Sequence, residues 1–280
     1  MGADVAKIFQ PELGMQRSHG RAHARFGCAR GRVGLRDLRQ EGSAKVVLPR
    51  PDTDVPEVVF LNTSGGLTAG DQLAFSLTLG AGCRVVSTTQ TAERAYDAGG
   101  GLPARVQLSH QVGAGGWLDW LPQETILFQG AALQRHSEIN LAKDAGCLLL
   151  EAVVLGRAAM GETVTRLQFH DRRIIRRQGR VMWIEPLRLD DAVLAGSDRP
   201  ALLAGARALA SLVMVGPNLG DVLGPLRAVL DEPGVQAAAS VFEGRLVVRL
   251  LAADGWPLRR QILRVLALLR QAPPPRVWQM

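Results

Sequence analysis

Leu61-Asn62-Thr63-Ser64-Gly65-Gly66-Leu67-Thr68-Ala69-Gly70-Asp71 is the stretch on which the reading of this chain turns. Glycine is used where the backbone takes positive φ or lies against another group with no room for a Cβ. The run therefore forms a tight corner, and its terminal carboxylate makes it a candidate site as well. It is flanked by two strand-like stretches, residues 57–61 and 72–79. In the second, Phe75-Ser76-Leu77-Thr78-Leu79 alternates apolar and polar with period two, as a half-buried strand does.

The same texture continues outward from this corner. Residues 83–91, 105–112, 116–120, 125–128, 133–141 and 147–155 read as strands separated by glycine turns. Residues 163–177 and 180–189 read as a hairpin closed by Gln178-Gly179. Beyond Leu189 the pattern changes. Asp190-Asp191 caps a short helix, residues 209–215 form a strand, and Asp221 opens a second helix. Residues 235–242 and 245–251 pair around Glu243-Gly244. Residues 257–270 form an amphipathic helix with Leu258, Ile262, Val265, Leu266 and Leu269 on one face. The expected fold is mainly β: a stacked or coiled, antiparallel arrangement of strands with a few helices and a C-terminal β-α-β-β-α layer. One domain is expected over residues 16–280, β-rich to residue 190 and mixed from 191. Residues 1–15 show no period and read as disordered.

Composition narrows the function. Lys and Arg number 33 against 26 Asp and Glu, a net charge of +7 that favours an acidic partner. Two arginine clusters carry the excess, one from Arg17 to Arg39 and one from Arg172 to Arg180; both alternate with apolar residues, as solvated strand faces do. A single Tyr, seven Phe and five Trp leave few stacking platforms for single-stranded nucleic acid. Cys28, Cys83 and Cys147 have neither metal-finger nor redox spacing and read as small buried apolar residues of a reducing compartment. No apolar run reaches the length of a membrane span and no secretory leader is evident, so a soluble cytoplasmic protein is expected.

Familiar chemistries are mostly excluded. No Gly-x-Ser-x-Gly elbow occurs. No Lys-Ser or Lys-Thr follows the glycines of the opening run, so it cannot neutralise nucleotide phosphates as a P-loop does. His19 and His23 have the spacing of half a metal site on a helix, but their surroundings are basic. His110, His136 and His170 are isolated and read as surface or satisfied side chains. Asp71, Glu124, Glu151 and Glu162 stand out as carboxylates set among apolar strand residues, most of them beside Gly or Pro. An unpaired buried charge is costly, so such groups are ion-paired, hydrogen-bonded or directed at a metal. Oxygen ligands with few histidines would give weak, exchangeable divalent binding; a salt bridge, such as Glu162 with Arg157, is the competing reading.

Four segments taken together resemble a known family. They are Gly65-Gly66-Leu67-Thr68-Ala69-Gly70-Asp71, Thr88-Thr89-Gln90-Thr91-Ala92, Leu121-Pro122-Gln123-Glu124-Thr125-Ile126 and Gly156-Arg157-Ala158-Ala159-Met160-Gly161-Glu162. In order and spacing they resemble the urease accessory protein D family (UreD, also called UreH), and Pro275-Arg276-Val277-Trp278 is similar to that family's ending. Glu93-Arg94-Ala95-Tyr96 keeps the family's order of a basic residue before a tyrosine, while Ala69 stands where the family often has a bulkier residue. The resemblance implies a helix-like stack of strands and a non-enzymatic maturation factor that binds urease apoprotein. It implies accessory proteins F and G, the latter a GTPase, as partners, and no nucleic acid or membrane. No permanent cofactor is expected, only transient nickel. Asp71, Glu124 and Glu162 are the expected nickel path, and Thr89, Gln90, Arg94, Tyr96 and Arg157 the expected partner contacts. A metal-dependent hydrolase and a basic nucleic-acid-binding protein are the rival readings.

Overall fold

Period-two alternation builds almost the whole molecule. The computed structural model describes residues 17–50 and 54–279; the expectation of a disordered N-terminal segment lies outside these residues. The chain opens with a hairpin of β1 (His19–Ala29) and β2 (Arg32–Gly42), then pairs β3 (Ala44–Val47) with β4 (Glu57–Asn62). It continues through β5 (Gln72–Leu79), β6 (Arg84–Thr89), β7 (Glu93–Ala95), β8 (Ala104–Val112), β9 (Trp117–Leu121) and β10 (Thr125–Leu127). Then come β11 (Ala132–Leu141), β12 (Gly146–Leu155), β13 (Gln168–Arg177), β14 (Arg180–Asp190) and the short helix α1 (Asp191–Ala195). The tail is β15 (Ala208–Val215), α2 (Gly220–Ala228), β16 (Val235–Phe242), β17 (Arg245–Ala252) and α3 (Gly255–Arg270).

The strands form two sheets. One has the order β14-β13-β11-β8-β5-β1-β2, and the other follows the path β16-β17-β15-β12-β9-β6-β4-β3. From β4 to β13 the chain passes back and forth between them, and each turn of the coil adds a strand to each sheet. Neighbours within a sheet therefore run the same way: β1, β5, β8, β11 and β13 are successively parallel, as are β4, β6, β9 and β12. The mainly β, stacked architecture is as expected, but the antiparallel pairing is not. Alternation reports which face is buried and says nothing of direction, and the glycine turns carry the chain across to the other sheet instead of back along the same one. Antiparallel pairs close the two ends of the coil.

Two cores result. The first lies between the sheets and includes Phe60, Phe75, Leu77, Leu118, Leu133, Leu149 and Phe169. Phe60 sits with its ring centroid 5.3 Å from Phe75 and 6.0 Å from Trp120. The second core lies under the helices, on the outer face of the β12 sheet, where Leu148, Leu150, Leu212 and Leu250 meet Leu258, Ile262, Val265 and Leu266 of α3. Burying each aliphatic side chain there is worth about 1.5–3 kcal/mol. β12 is covered on both faces, which explains its nearly unbroken apolar run, Gly146-Cys147-Leu148-Leu149-Leu150. The last turn of the chain joins this core: Trp278 is buried, and its Nε1 donates to Thr88 Oγ1 at 3.0 Å and to the Leu121 carbonyl at 3.1 Å. Cys83 and Cys147 are buried as expected, but Cys28 is exposed near the end of the β1–β2 hairpin. No helix among the described residues is long and apolar enough to cross a membrane.

Candidate functional site

The glycine run, residues 93–97 and the ends of the two later motifs stack on one another at a single corner of the coil. Leu67 N donates to the Arg94 carbonyl at 2.7 Å, and Tyr96 N donates back to Leu67 at 2.8 Å. Glu93 N donates to the Glu124 carbonyl at 2.9 Å, Phe128 N to Ala95 at 3.0 Å, and Gly156 N to Leu127 at 2.8 Å. Segments 65–71, 93–97, 124–128 and 153–156 are thus successive rungs of one strip. Gly66 is required there: its φ is +144°, and a Cβ would lie 2.4 Å from Cε2 of Tyr96. Across the strip Tyr96 packs on Phe128 with ring centroids 5.1 Å apart, and the Arg157 guanidinium lies 4.7 Å from the same Phe128 ring. Tyr96, Gln90, Arg94 and Arg157 are exposed. Thr89, Gln90 and Arg94 line a small cleft with Asn62, Gly65 and Gly66. The five expected partner contacts therefore lie along this corner, Tyr96 and Arg157 joined through Phe128.

The expected nickel ligands are not brought together. Asp71 is buried, and its carboxylate accepts Ser18 N at 2.7 Å and Thr68 N at 2.8 Å, which pins the glycine corner to the start of β1. Glu162 accepts Gln129 N at 3.1 Å, Arg157 N at 3.0 Å and Arg157 Nε at 2.8 Å. Partial burial pushes its carboxyl up, but these hydrogen bonds outweigh burial and hold it below the usual carboxylate range. Glu124 lies 3.6 Å from Arg259 Nη1 of α3. Among the described residues no three His, Cys, Asp or Glu side chains are placed to hold a metal ion. His19 and His23 lie on a strand, where four residues span about 13 Å and no ion could be shared.

A second constellation lies between the sheets. Arg135 of β11 is buried and forks onto Asp171 of β13, with Nε at 3.1 Å and Nη2 at 2.6 Å. Its Nη1 reaches Thr125 Oγ1 at 3.1 Å and forms an ion pair with Glu151 Oε2 at 2.7 Å, without an aligned hydrogen bond. Trp120 Nε1 holds the other Glu151 oxygen at 3.1 Å. Arg173 continues the chain to Asp171 at 2.8 Å and to Glu185 at 2.9 Å, and also contacts Ser211. Arg249, at the surface, meets Glu185 at 3.0 Å. At the other end Glu93 accepts from Asn62 Nδ2 at 3.2 Å, opening onto the corner cleft.

The electrostatics divide these carboxylates. Burial raises Glu151 despite Arg135, and burial raises Glu93 despite its hydrogen bonds. Burial also opposes ionisation of Asp171, but Arg135 and Arg173 overcome it and keep that group low. Around Trp120 and Arg135 several buried polar atoms have no partner: Ser87 Oγ, Ser137 Oγ and both ring nitrogens of His110, whose ring lies 4.7 Å from Trp120. Burial lowers the His110 imidazole to about 3, so it is neutral near pH 7. Contrary to expectation, His110 is neither a surface nor a satisfied side chain, and Arg173 of the second arginine cluster faces inward. Parity along the strands marks these residues. Arg135 shares the inward register of Leu133 and Ile139, Asp171 and Arg173 that of Phe169 and Ile175, and Glu151 that of Leu149 and Val153.

The family model for the UreD urease accessory protein matches residues 18–279, from β1 to the last turn beside Trp278. The chain belongs to the UreD family. It is 62% identical over 265 residues to the urease accessory protein UreD of Cereibacter sphaeroides, covering 95% of this chain and 96% of that protein. It is 56% identical to UreD of Paracoccus denitrificans, with 95% and 93% covered, and 46% identical to UreD of Rhizobium leguminosarum, with 95% and 96% covered. The stretch that aligns with the UreD model thus takes in both the stacked corner and the interior ion network.

Proposed function

We propose that this chain is a non-catalytic maturation factor for urease. It binds the urease apoprotein and, together with accessory proteins F and G, supports nickel insertion into the urease active site. The family match across residues 18–279 carries this reading. The stacked corner supports it, because Gln90, Arg94, Tyr96 and Arg157 present hydrogen-bonding, aromatic and cationic groups on one exposed strip, with Thr89 shaping the cleft beside them. Aromatic and arginine side chains are the usual anchors of protein interfaces.

Nickel enters as cargo. Its route would run from the Asn62–Glu93 cleft inward toward Glu151, past the unpartnered Ser87, Ser137 and His110. Buried polar groups without partners are places for water or a passing ligand. Burial pushes the Glu93 and Glu151 carboxyls up, although Glu151 faces the Arg135 cation and Glu93 accepts hydrogen bonds. Of the residues expected from sequence to form the path, Asp71 and Glu162 bind the backbone of the neighbouring turns and Glu124 faces Arg259. Pull-down of the purified chain with urease apoprotein and accessory protein F tests the docking; absence of association at low salt overturns it. Glu151→Gln should lower nickel loading of urease while the same pull-down stays intact, and normal loading would remove the route.

A further inference from the structure

The two sheets differ in what covers their outer faces. Helices α2 and α3 lie over the β12 sheet, whereas the outer face of the seven-stranded sheet has no layer on it among the described residues. Parallel sheets are ordinarily covered on both sides. On this bare face the register sets out two rows. One runs His19, Gln72, Arg105, Gln134, His170 and Arg188, one residue from each of six strands. The other runs Arg21, Ala74, Gln107, His136, Arg172 and Pro186.

These rows line a groove of about 1310 Å3. Its outward side chains are cationic or neutral apart from Glu41 at one edge. Arg188 is paired with Asp190 at 2.8 Å, but the guanidinium groups of Arg21, Arg105 and Arg172 are exposed and have no ion pair or hydrogen bond among the described residues. Nε2 of His170, on the groove floor, is shielded from solvent and has no partner.

We propose that this groove docks an extended acidic segment of a partner protein. Arg21, Arg105 and Arg172 would meet its carboxylates, and Gln72, Gln107 and Gln134 would meet its backbone. Six strands span about 24 Å, the length of about seven extended residues. The outward positions of both rows carry no Phe, Tyr or Trp, the strongest base-stacking platforms, which disfavours single-stranded nucleic acid. They also carry no large aliphatic side chain to enter a membrane. The proposal uses none of the corner residues and stands apart from the urease reading.

The test measures fluorescence anisotropy of the full chain with a labelled peptide of alternating Glu and Thr, roughly ten residues long to exceed the groove. Probes of equal length, a Gln-Thr peptide and an oligothymidylate, serve as comparisons. The acidic peptide should bind more tightly than both. The variant R21Q/R105Q/R172Q should weaken it about tenfold, as three charge pairs of ordinary surface strength imply. R30Q/R180Q/R199Q, which removes the same charge elsewhere, should leave it unchanged, and thermal melting of both variants should match the parent. The proposal is overturned if the neutral peptide binds as well, if the oligothymidylate binds more tightly, or if the two triple variants behave alike.

Discussion

The two cores of this molecule are built on opposite terms. Under the helices, the polar groups among the apolar side chains are all partnered: Thr88 with the Leu121 carbonyl and the Trp278 indole, Gln261 with Glu232 and Val229, Asp119 with Arg270 and Trp117. Between the sheets, Arg135, Glu151, Asp171 and Arg173 are buried together, and Ser87, Ser137 and His110 keep unpartnered atoms at the deepest point. A core selected for stability alone would replace such groups by hydrocarbon. The inner core therefore carries a cost that the outer core does not.

The largest expected effect tests the inner core. Arg135→Met leaves Glu151 and Asp171 facing each other without their shared cation and should lower unfolding free energy by about 3–5 kcal/mol in denaturant titrations. Replacing Arg135, Glu151, Asp171 and Arg173 together by Met, Leu, Leu and Met, with Glu185 still paired to Arg249, should recover most of that loss; if it does not, the network is needed for stability and the contrast between the cores fails. Leu266→Ala in the outer core should cost about 3 kcal/mol through lost burial and a residual cavity. His110 gives a pH signature next. Its folded pKa of about 3 lies below the ordinary value of 6.5, so the protein holds this stability above pH 6.5 and loses it as pH falls toward 3. Between pH 7 and pH 5 the loss should be about 2 kcal/mol, and His110→Leu should abolish that part of the pH dependence. The smallest effect belongs to Asp71→Ala, about 1–2 kcal/mol, because that buried carboxylate is satisfied by two backbone N–H groups and behaves like a group of the outer core.

Strand positions were legible because alternation is a local property. Residues 72–79 were read from sequence with the bounds the structure shows, and the helix over 255–270 buries Leu258, Ile262, Val265 and Leu266 as its pattern requires. Strand direction was not legible, since a glycine turn that crosses to another sheet has the same composition as one that folds back. The corner is legible in sequence only in part, through the glycine run and the segments that border its other rungs, because stacking is set by coil length and not by any single segment. Arg135 and Asp171 were missed for a related reason. Each is a lone charge in an apolar register, and its compensation comes from a strand 36 residues away.

The parallel coil has a consequence for biosynthesis. Each rung pairs with the one before it, so a chain emerging from the ribosome can add strands in order. The outer face of the β12 sheet, however, stays unclothed until α3 and Trp278 have left the exit tunnel, and Trp278 then closes onto Thr88, 190 positions upstream. From the emergence of β12 until α3 follows, this polypeptide displays an aliphatic surface, and its yield in the cell should depend on what shelters that surface until the final turn arrives.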